Sequence, residues 1–549
     1  MSKLHVDQKS VKNILSEKSS LYLIPEYQRP YEWDENKCRT LWDDILEFAM
    51  PDNNPDNFDG KEEYFLGSIV TFKNESFLEV IDGQQRITTL LLLLRAVYKK
   101  LEPAKEELSL EVKRQIEPCI WQTDEFSKPD KEKIRIDTKV ATDKDRNAFI
   151  QILKTGDVVG QDIYSRNYKY FIDWIDEYAL TYPIAFYKIC VRILNNCILL
   201  PIECESQDVA LRIFTTLNDR GMPLSDSDIF KAQLYKYYSG TNKQDFFIEK
   251  WQELSETCDN IAKSNKSNQN VIDEIFTLYM YWLRAKDGIK DTTVPGLRKY
   301  FEQNKYEKLK RYQTVEDVIA LSDFWRILSD KEIDNPMGVS EETLKYVHCL
   351  EYFPNAFWKY NLTIFFFANK DSDNKLEEID FCEFVKQTLA FCYISYIINP
   401  TISKLKNISI PAFVDIANKQ RFKYQPFDKQ DFSRSFHSLY TQTKLMIKPM
   451  LLWEAYQIPE QSIISKNTKL EIEHILPKNW KSGSYKEWNR NDAEEYLEKI
   501  GNKILLDKKT NIQAGDGFFG IKKEKWYKDS VIKAVNKLVT EYPHDEWIK

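Results

Sequence analysis

Glu471-Ile-Glu-His-Ile-Leu-Pro-Lys478 is the stretch on which the reading of this chain turns. Leu470 to Ile475 alternates apolar and polar residues, the period of a strand, and Pro477 ends it. A second short strand is expected over Lys503 to Leu506, inside Gly501-Asn-Lys-Ile-Leu-Leu506. The polar run Asp507 to Thr510 then turns the chain toward Asn511. Phe518 to Ser530, with four lysines and Trp526-Tyr527, reads as a closing helix. Two strands and a helix in that order predict a ββα unit.

Glu473 and His474 are adjacent. Asn502 follows His474 by 28 residues, and Asn511 follows Asn502 by 9. A carboxylate, an imidazole and two carboxamides in this order suit a one-metal nuclease. The imidazole takes a proton from water. The carboxylate of Glu473 and the carboxamide of Asn511 are expected to hold a hard divalent cation, Mg²⁺ or Mn²⁺, against the scissile phosphate. Asn502 is expected to brace the loop that aims His474. A lone Glu-His pair would mean only a surface strand with a solvated histidine; the agreement of four elements in type, order and spacing favours the chemical reading.

This segment resembles the HNH (ββα-metal) nucleases, and within them the GmrD-type domain. The resemblance rests on Glu473-His474-Ile475-Leu476-Pro477, Gly501-Asn502 with Leu505-Leu506, Asn511, and the trailing Lys522 and Tyr527. Many HNH enzymes place Asp where Glu473 stands; the carboxylate is kept on a stem one methylene longer. Many also carry two Cys pairs for a structural zinc. No Cys follows Cys392 here, so no zinc staples the module and its small core must lean on the rest of the chain. HNH chemistry implies in-line attack of hydroxide and a 5′-phosphate product.

The 549 residues are enough for about two to four domains with ample core. Hydrophobic residues make up 42% and charged residues 30%, which excludes a disordered chain. Fifteen glycines are too few for a Gly-rich β architecture. A net charge of −7 argues against a nucleic-acid coat protein but leaves room for a local basic patch. Nine scattered Cys without a C-x-x-C are expected to be free thiols in a reducing, cytoplasmic setting. The longest apolar run, near Leu90 to Leu94, is too short to span a bilayer, so no membrane partner is expected.

Toward the N-terminus, residues 1 to about 20 are expected to form a short helix, with Val11, Ile14 and Leu15 inward. A strand ends at Pro25, and Pro30 leaves Tyr27, Gln28 and Arg29 on a stiff loop. A helix from Glu35 to Phe48 follows, capped by Asp34, and strands are expected at Tyr64 to Thr71 and Phe77 to Ile81. Asp82-Gly-Gln-Gln-Arg86 then feeds an apolar helix, Ile87 to Leu101. A helix start exposes free N–H groups and a positive dipole end. Arg86 adds a cation able to grip phosphate through two bonds, and Gln84 and Gln85 can position water or a base edge. Together these form an anion cradle. The plain alternative is Asp82 as an N-cap and Arg86 as a surface residue.

Ile24-Pro25-x-Tyr27-Gln28-Arg29-x-Tyr31-x-Trp33, Phe65-Leu66-Gly67-Ser68 and Ile81-Asp82-Gly83-Gln84-Gln85-Arg86 resemble the GmrS-type domain, which has a ParB/sulfiredoxin-like fold. The resemblance extends to Phe214-Thr-Thr-Leu-Asn218-Asp-Arg220-Gly221 and Leu224-Ser225-x-x-Asp228. It implies a nucleoside triphosphate site at Asp82, Gly83, Gln84, Gln85 and Arg86, bordered by a sensor pocket of Tyr27, Gln28, Arg29, Asn218 and Arg220. No G-x-x-x-x-G-K-[ST] occurs, so the site is not a P-loop.

Between these motifs, Lys128 to Arg146 is dense in charge and reads as a solvated hairpin or loop. Cys190 to Pro201 reads as one buried element, Asp208 to Leu217 as a helix, and Ser225 as the cap of a helix through Tyr238. From about 240 to 440, aromatic and aliphatic residues at helical spacing predict a helical region without a repeat period. Phe422-Lys-Tyr424 is a candidate nucleic-acid contact there.

The expected fold class is therefore α+β and predominantly helical. It comprises a ParB/sulfiredoxin-like sensor domain (1–240), a helical middle (241–440) and a C-terminal HNH domain (441–549). The expected function is a nucleotide-regulated, metal-dependent endonuclease that cuts or nicks modified double-stranded DNA in phage defence, as in the type IV enzymes resembled. A homodimer would suit cutting of two strands. The rival reading is an NTP-hydrolysing sensor or toxin whose HNH-like domain binds or cuts RNA, or only binds DNA.

Overall fold

The structure is a computed structural model. It describes every residue except 1–4, 7, 19–20, 55–56, 59, 75–76, 141–144, 159, 208, 211–212, 214–224, 242, 267–268, 330–334, 336, 421–426, 439–443, 481–484, 487 and 549. Asn218, Arg220 and the pair Phe422 and Tyr424 lie outside the described residues, as does most of the helix expected over Asp208 to Leu217. The chain divides into two compact units, Met1–Gln252 and Glu253–Lys549. Helix accounts for 61% of the described residues, with a small mixed sheet, which makes the protein α+β with helix in the majority.

The first unit is built on a mixed sheet. Its strands are β1 (His5–Val6), β2 (Lys9–Ser10), β3 (Tyr22–Ile24), β4 (Tyr64–Asn74), β5 (Phe77–Asp82), β8 (Ile136–Thr138) and β9 (Cys197–Cys204); β6 (Trp121–Thr123) and β7 (Pro129–Ile134) form a separate ribbon. The order is β1-β9-β4-β5-β3-β8, with β2 also on β9. β4 runs parallel to β9 and antiparallel to β5, and β3 lies parallel to both β5 and β8. A bulge between Val70 and Thr71 re-aims the end of β4 beside β5.

Helix α1 (Gln84–Leu101) leaves β5 and carries buried residues on every side, from Gln84 and Ile87 to Leu94 and Leu101. A helix apolar all round belongs inside a domain, and the helices Glu107–Ile120 and Ile163–Thr181 pack against it. The expected strands and helices around the N-terminal motif are present within a few residues, Glu35–Ala49 with Asp34 accepting from Lys37 N among them. The exception is the helix expected over residues 1 to about 20, which is confined to Val11–Ser16, after β1 and β2.

Two expectations for this unit are refined. Of the solvated hairpin or loop expected over Lys128 to Arg146, the hairpin is present as β7 against β6, but the described part of the segment is not all solvated. It supplies β7 and β8, and β8 buries Ile136 and Thr138 in the main sheet beside a buried Arg135. Alternating inward residues were hidden by the charge between them. Cys190 to Pro201 is not one element but the end of the helix Pro183–Asn195 followed by β9, a strand between β1 and β4.

The second unit begins with helices, including Val271–Lys286, Tyr312–Ser329, Trp358–Asn369 and Glu378–Ile398. The last of these is long and apolar enough by composition to cross a membrane; Phe381, Val385, Leu389 and Cys392 on it are buried in the unit. All nine Cys are free, and eight are buried. The chain ends on a two-stranded ribbon, β10 (Leu470–His474) antiparallel to β11 (Lys503–Asp507), in a register that sets His474 opposite Lys503.

Asp507 to Thr510 is not the expected turn. Asp507 accepts from Thr510 N and caps a helix, Lys508–Ala514, which carries Asn511 and packs on β10. The closing helix is short, Phe519–Lys522, and runs into a π turn, Lys523–Tyr527.

Candidate functional site

The first candidate site lies at the start of α1. A cavity of about 470 Å³ is lined there by Gln28, Arg29 and every residue from Ile81 to Arg86, with Trp33, Lys37 and Phe65 among the other walls. Gly83 is the N-cap, at φ +88°, and no side chain caps the helix. The first amides of α1 therefore face the cavity end without a side-chain acceptor. A Cβ at Gly83 would meet Ile69 Cγ1 at 3.0 Å and Ser68 O at 3.1 Å, so the turn needs glycine.

Arg86 Nη1 donates to Ser68 O at 2.7 Å. Its guanidinium lies over Gly67, where any Cβ would come within 2.8 Å of it. Burial lowers the Arg86 pKa and raises that of Asp82, and each charge partly offsets the other. Gln84 and Gln85 serve a purpose that the sequence did not suggest. Gln84 Nε2 donates to Arg29 O (3.2 Å), Gln85 Nε2 to Pro30 O (2.8 Å), and Gln85 Oε1 accepts from Glu32 N (2.7 Å). The two carboxamides thus fasten the Tyr27–Trp33 loop over the helix start. Gln84 Oε1 remains buried without a protein partner, an acceptor open to a bound donor.

Gln28 Nε2 donates to Val80 O and Ile81 O, and its own carbonyl accepts from the buried Lys231 at 3.0 Å. Lys231 stands on α2 (Asp226–Ser239), which Ser225 caps as expected. Burial pulls the Lys231 pKa down to about 8 against the opposing pull of Asp228. Tyr27 is buried with its ring 5.0 Å from that of Tyr235 and is not among the residues lining the cavity.

The second candidate site is built on β10 and β11. Neighbours on a strand leave by opposite faces, and Glu473 and His474 do so. The Glu473 carboxylate is buried, and its Oε1 accepts from Lys522 Nζ (2.6 Å) and Tyr527 OH (2.8 Å). Lys522 and Tyr527 are five residues apart, and the i→i+5 bonding of the π turn sets residues at that spacing nearly above one another. Burial raises the Glu473 pKa, with Lys522 opposing it.

His474 faces a cavity of about 380 Å³ instead, lined by Lys444, Lys448, Lys478, Glu498 and Lys503 among others. Its Nε2 is 3.5 Å from Glu498 Oε1 and makes no hydrogen bond of good geometry. Glu498 is held in turn by Lys503 Nζ, 2.7 Å from both its Oε2 and its backbone oxygen. Burial lowers the His474 pKa, Glu498 raises it, and Lys503 and Lys478 lower it. The net fall leaves the imidazole neutral at pH 7 and able to take a proton.

Asn502 is buried and braces the turn after His474. Leu476 N donates to its Oδ1 (2.8 Å), and its Nδ2 donates to Leu476 O (3.1 Å) and Leu497 O (3.0 Å). Asn511 Oδ1 is buried with no protein partner. Neither Glu473 nor Asn511 is among the residues lining the His474 cavity. Among the described residues no group of three His, Cys, Asp or Glu side chains stands ready for a metal.

The sequence reading missed Glu498 and the lysines at 444, 448, 478 and 503. Lys478 and Lys503 lay inside quoted stretches without a role there, and nothing in the spacing of the others marks them.

A family model described as "GmrSD restriction endonuclease, N-terminal domain" matches residues 11–235, and one described as "GmrSD restriction endonucleases, C-terminal domain" matches residues 428–548. The first span contains the whole cavity at Arg86 and the second the whole cavity at His474. No curated protein matches the chain.

Proposed function

Because the chain belongs to the GmrSD restriction endonuclease family, we propose that it is a metal-dependent DNA endonuclease of phage defence whose cutting is governed by a nucleoside triphosphate bound beside Arg86. Nuclease action in phage defence, with DNA as substrate, follows from the family. The metal, the nucleotide and a preference for modified DNA are the added steps.

The observation that carries the reading is the brace of three hydrogen bonds at Asn502, one accepted and two donated. It fixes the turn behind His474 while the neutral imidazole faces a cavity lined by four lysines. The lysines suit a phosphodiester. His474 takes the proton of an attacking water, and Glu498 steadies the imidazolium that forms. The donor set for a cation is one carboxylate, Glu473, and one carboxamide, Asn511. That is a ligand set for an ion that keeps most of its waters and takes substrate oxygens, and the orphaned Asn511 Oδ1 fits it. Glu473 and Asn511 would hold Mg²⁺ or Mn²⁺, which would supply charge stabilisation to a phosphate. The Glu473 carboxylate leaves β10 on the face opposite His474, so the proton transfer at His474 does not pass through the ion. Lys522 and Tyr527 hold the Glu473 carboxylate in one orientation.

In the N-terminal cavity, Arg86, Arg29 and Lys37 supply positive charge for a polyphosphate, and Trp33 and Phe65 an aromatic wall for a base. The HNH and ParB/sulfiredoxin-like fold assignments belong to this reading, as does a homodimer that cuts both strands.

The test is cleavage of modified and unmodified phage DNA with Mg²⁺, with and without each NTP, by wild type and His474→Ala. Cleavage that needs Mg²⁺ and His474 is expected. Undiminished cutting by His474→Ala removes the mechanism.

A further inference from the structure

Two cavities in the second unit share a wall. The segment 498–503 gives Glu498 and Lys503 to the cavity around His474, and Lys499, Ile500, Gly501 and Asn502 to another of about 370 Å³. The first is rimmed by ammonium groups. The second is rimmed by rings, those of Phe436, His437, Trp488, Tyr496 and Trp547.

Trp488 and Tyr496 are held before anything binds. Trp488 is buried, and its Nε1 donates to Trp547 O at 2.5 Å, so its one polar group is already used within the wall. Tyr496 meets Trp488 edge-on, with centroids 6.1 Å apart, and Lys499 Nζ lies 3.8 Å from the Tyr496 centroid. Tyr496 is 38% exposed, so it offers a free surface to the cavity. The volume falls in the usual range for small planar ligands, about 300–1,000 Å³.

A polynucleotide repeats a phosphate and a flat aromatic ring at the spacing of one residue. An ammonium-lined cavity and a ring-lined cavity, divided by six residues of one segment, present the complementary pair of surfaces. Rings stack on any base, and the lysines track the backbone. We propose that the ring-lined cavity takes one nucleobase of the substrate strand, drawn out of the helix stack beside the phosphate at His474. The inference rests on the reading of His474 as the cutting site. Asn502, which closes both the His474 turn and one side of this cavity, ties the seating of the base to the aim of the imidazole. A base that is mismatched, altered or unpaired leaves its stack most easily, so the cavity favours irregular DNA.

The experiment uses the full chain. Wild type first cuts phage DNA, and a cut position is mapped. Duplex oligonucleotides spanning it are then bound by His474→Ala and by His474→Ala carrying Tyr496→Ala or Tyr496→Phe. Tyr496→Ala is expected to weaken binding about tenfold and Tyr496→Phe to leave it near wild type, since stacking needs the ring and not the hydroxyl. With the base removed at one position next to the cut, Tyr496→Ala and its parent bind alike. Equal binding of all variants to intact DNA overturns the proposal and leaves the nuclease reading standing. A Tyr496→Ala loss that persists at every abasic position also overturns it. Wild type that cuts no DNA sinks both.

Discussion

The Lys522 ammonium lies 2.6 Å from the Glu473 carboxylate, and neither side chain reaches solvent to any extent. A buried pair of this kind is costly to break, because removing one partner strands the other charge.

Lys522→Met is therefore expected to destabilise the second unit by about 3–5 kcal/mol, read by denaturant unfolding. The double variant Lys522→Met with Glu473→Gln should recover part of that loss, since no buried charge is left over. A Lys522→Met chain as stable as wild type would mean that the pair is solvated in solution.

Asn502→Ala removes one acceptor and two donations from the turn behind His474. It should cost about 1–3 kcal/mol and lower kcat far more than it raises KM, because DNA still meets the lysines. Asn502→Asp keeps the bond from Leu476 N but turns a carboxylate oxygen toward Leu476 O and Leu497 O, and should cost at least as much stability as Asn502→Ala. Equal loss in DNA affinity and in turnover would place Asn502 in binding instead.

Arg86→Ala should abolish nucleotide binding, measured by titration calorimetry with ATP and GTP, while the fold survives. Arg86→Lys keeps the charge but loses the two-pronged contact, and should bind weakly. Unchanged affinity in both would reduce Arg86 to a tie on Ser68 O.

Lys231 gives a pH test. Its ordinary pKa near 10.5 falls to about 8 in the folded chain through burial. Below pH 8 both states carry the proton and the burial cost is present in full. Between pH 8 and about 10.5 the unfolded chain holds more protons, so wild type gains stability relative to Lys231→Met as pH rises. The gain should approach about 3 kcal/mol, read as the difference between the two proteins' unfolding free energies. A difference flat across that window would show that Lys231 is hydrated.

Chelation should stop cleavage, and Asn511→Ala should raise the Mg²⁺ concentration needed for half-maximal cutting roughly tenfold, in the range seen when a metal's supporting groups are lost. A variant with an unshifted Mg²⁺ requirement would free Asn511 from the ion.

Much of this molecule can be read before it is folded. Alternation in Leu470 to Ile475 gave the strand, and the turn glycine before Gln84 gave the helix start with its cavity. Lys522 and Tyr527 were marked by resemblance alone, and the structure supplies their purpose on Glu473. Glu498 could not be found this way. It meets His474 because β10 and β11 pair, and the 24 residues from His474 to Glu498 carry no period that would say so. β8 escaped notice because it is three residues long and the charges of Lys133, Arg135 and Asp137 mask the inward pair Ile136 and Thr138. Gln84 and Gln85 were read as ligand-facing, whereas their amides spend most of their bonds on the loop above them.

The π turn at Lys523–Tyr527 makes the acid on β10 sensitive to counting. Insert one residue between Lys522 and Tyr527, and the backbone would still coil, but six positions apart the ammonium and the hydroxyl would leave by different sides. Glu473 would keep one of them and lose the other. An insertion that changes composition hardly at all would then do as much harm as replacing the lysine.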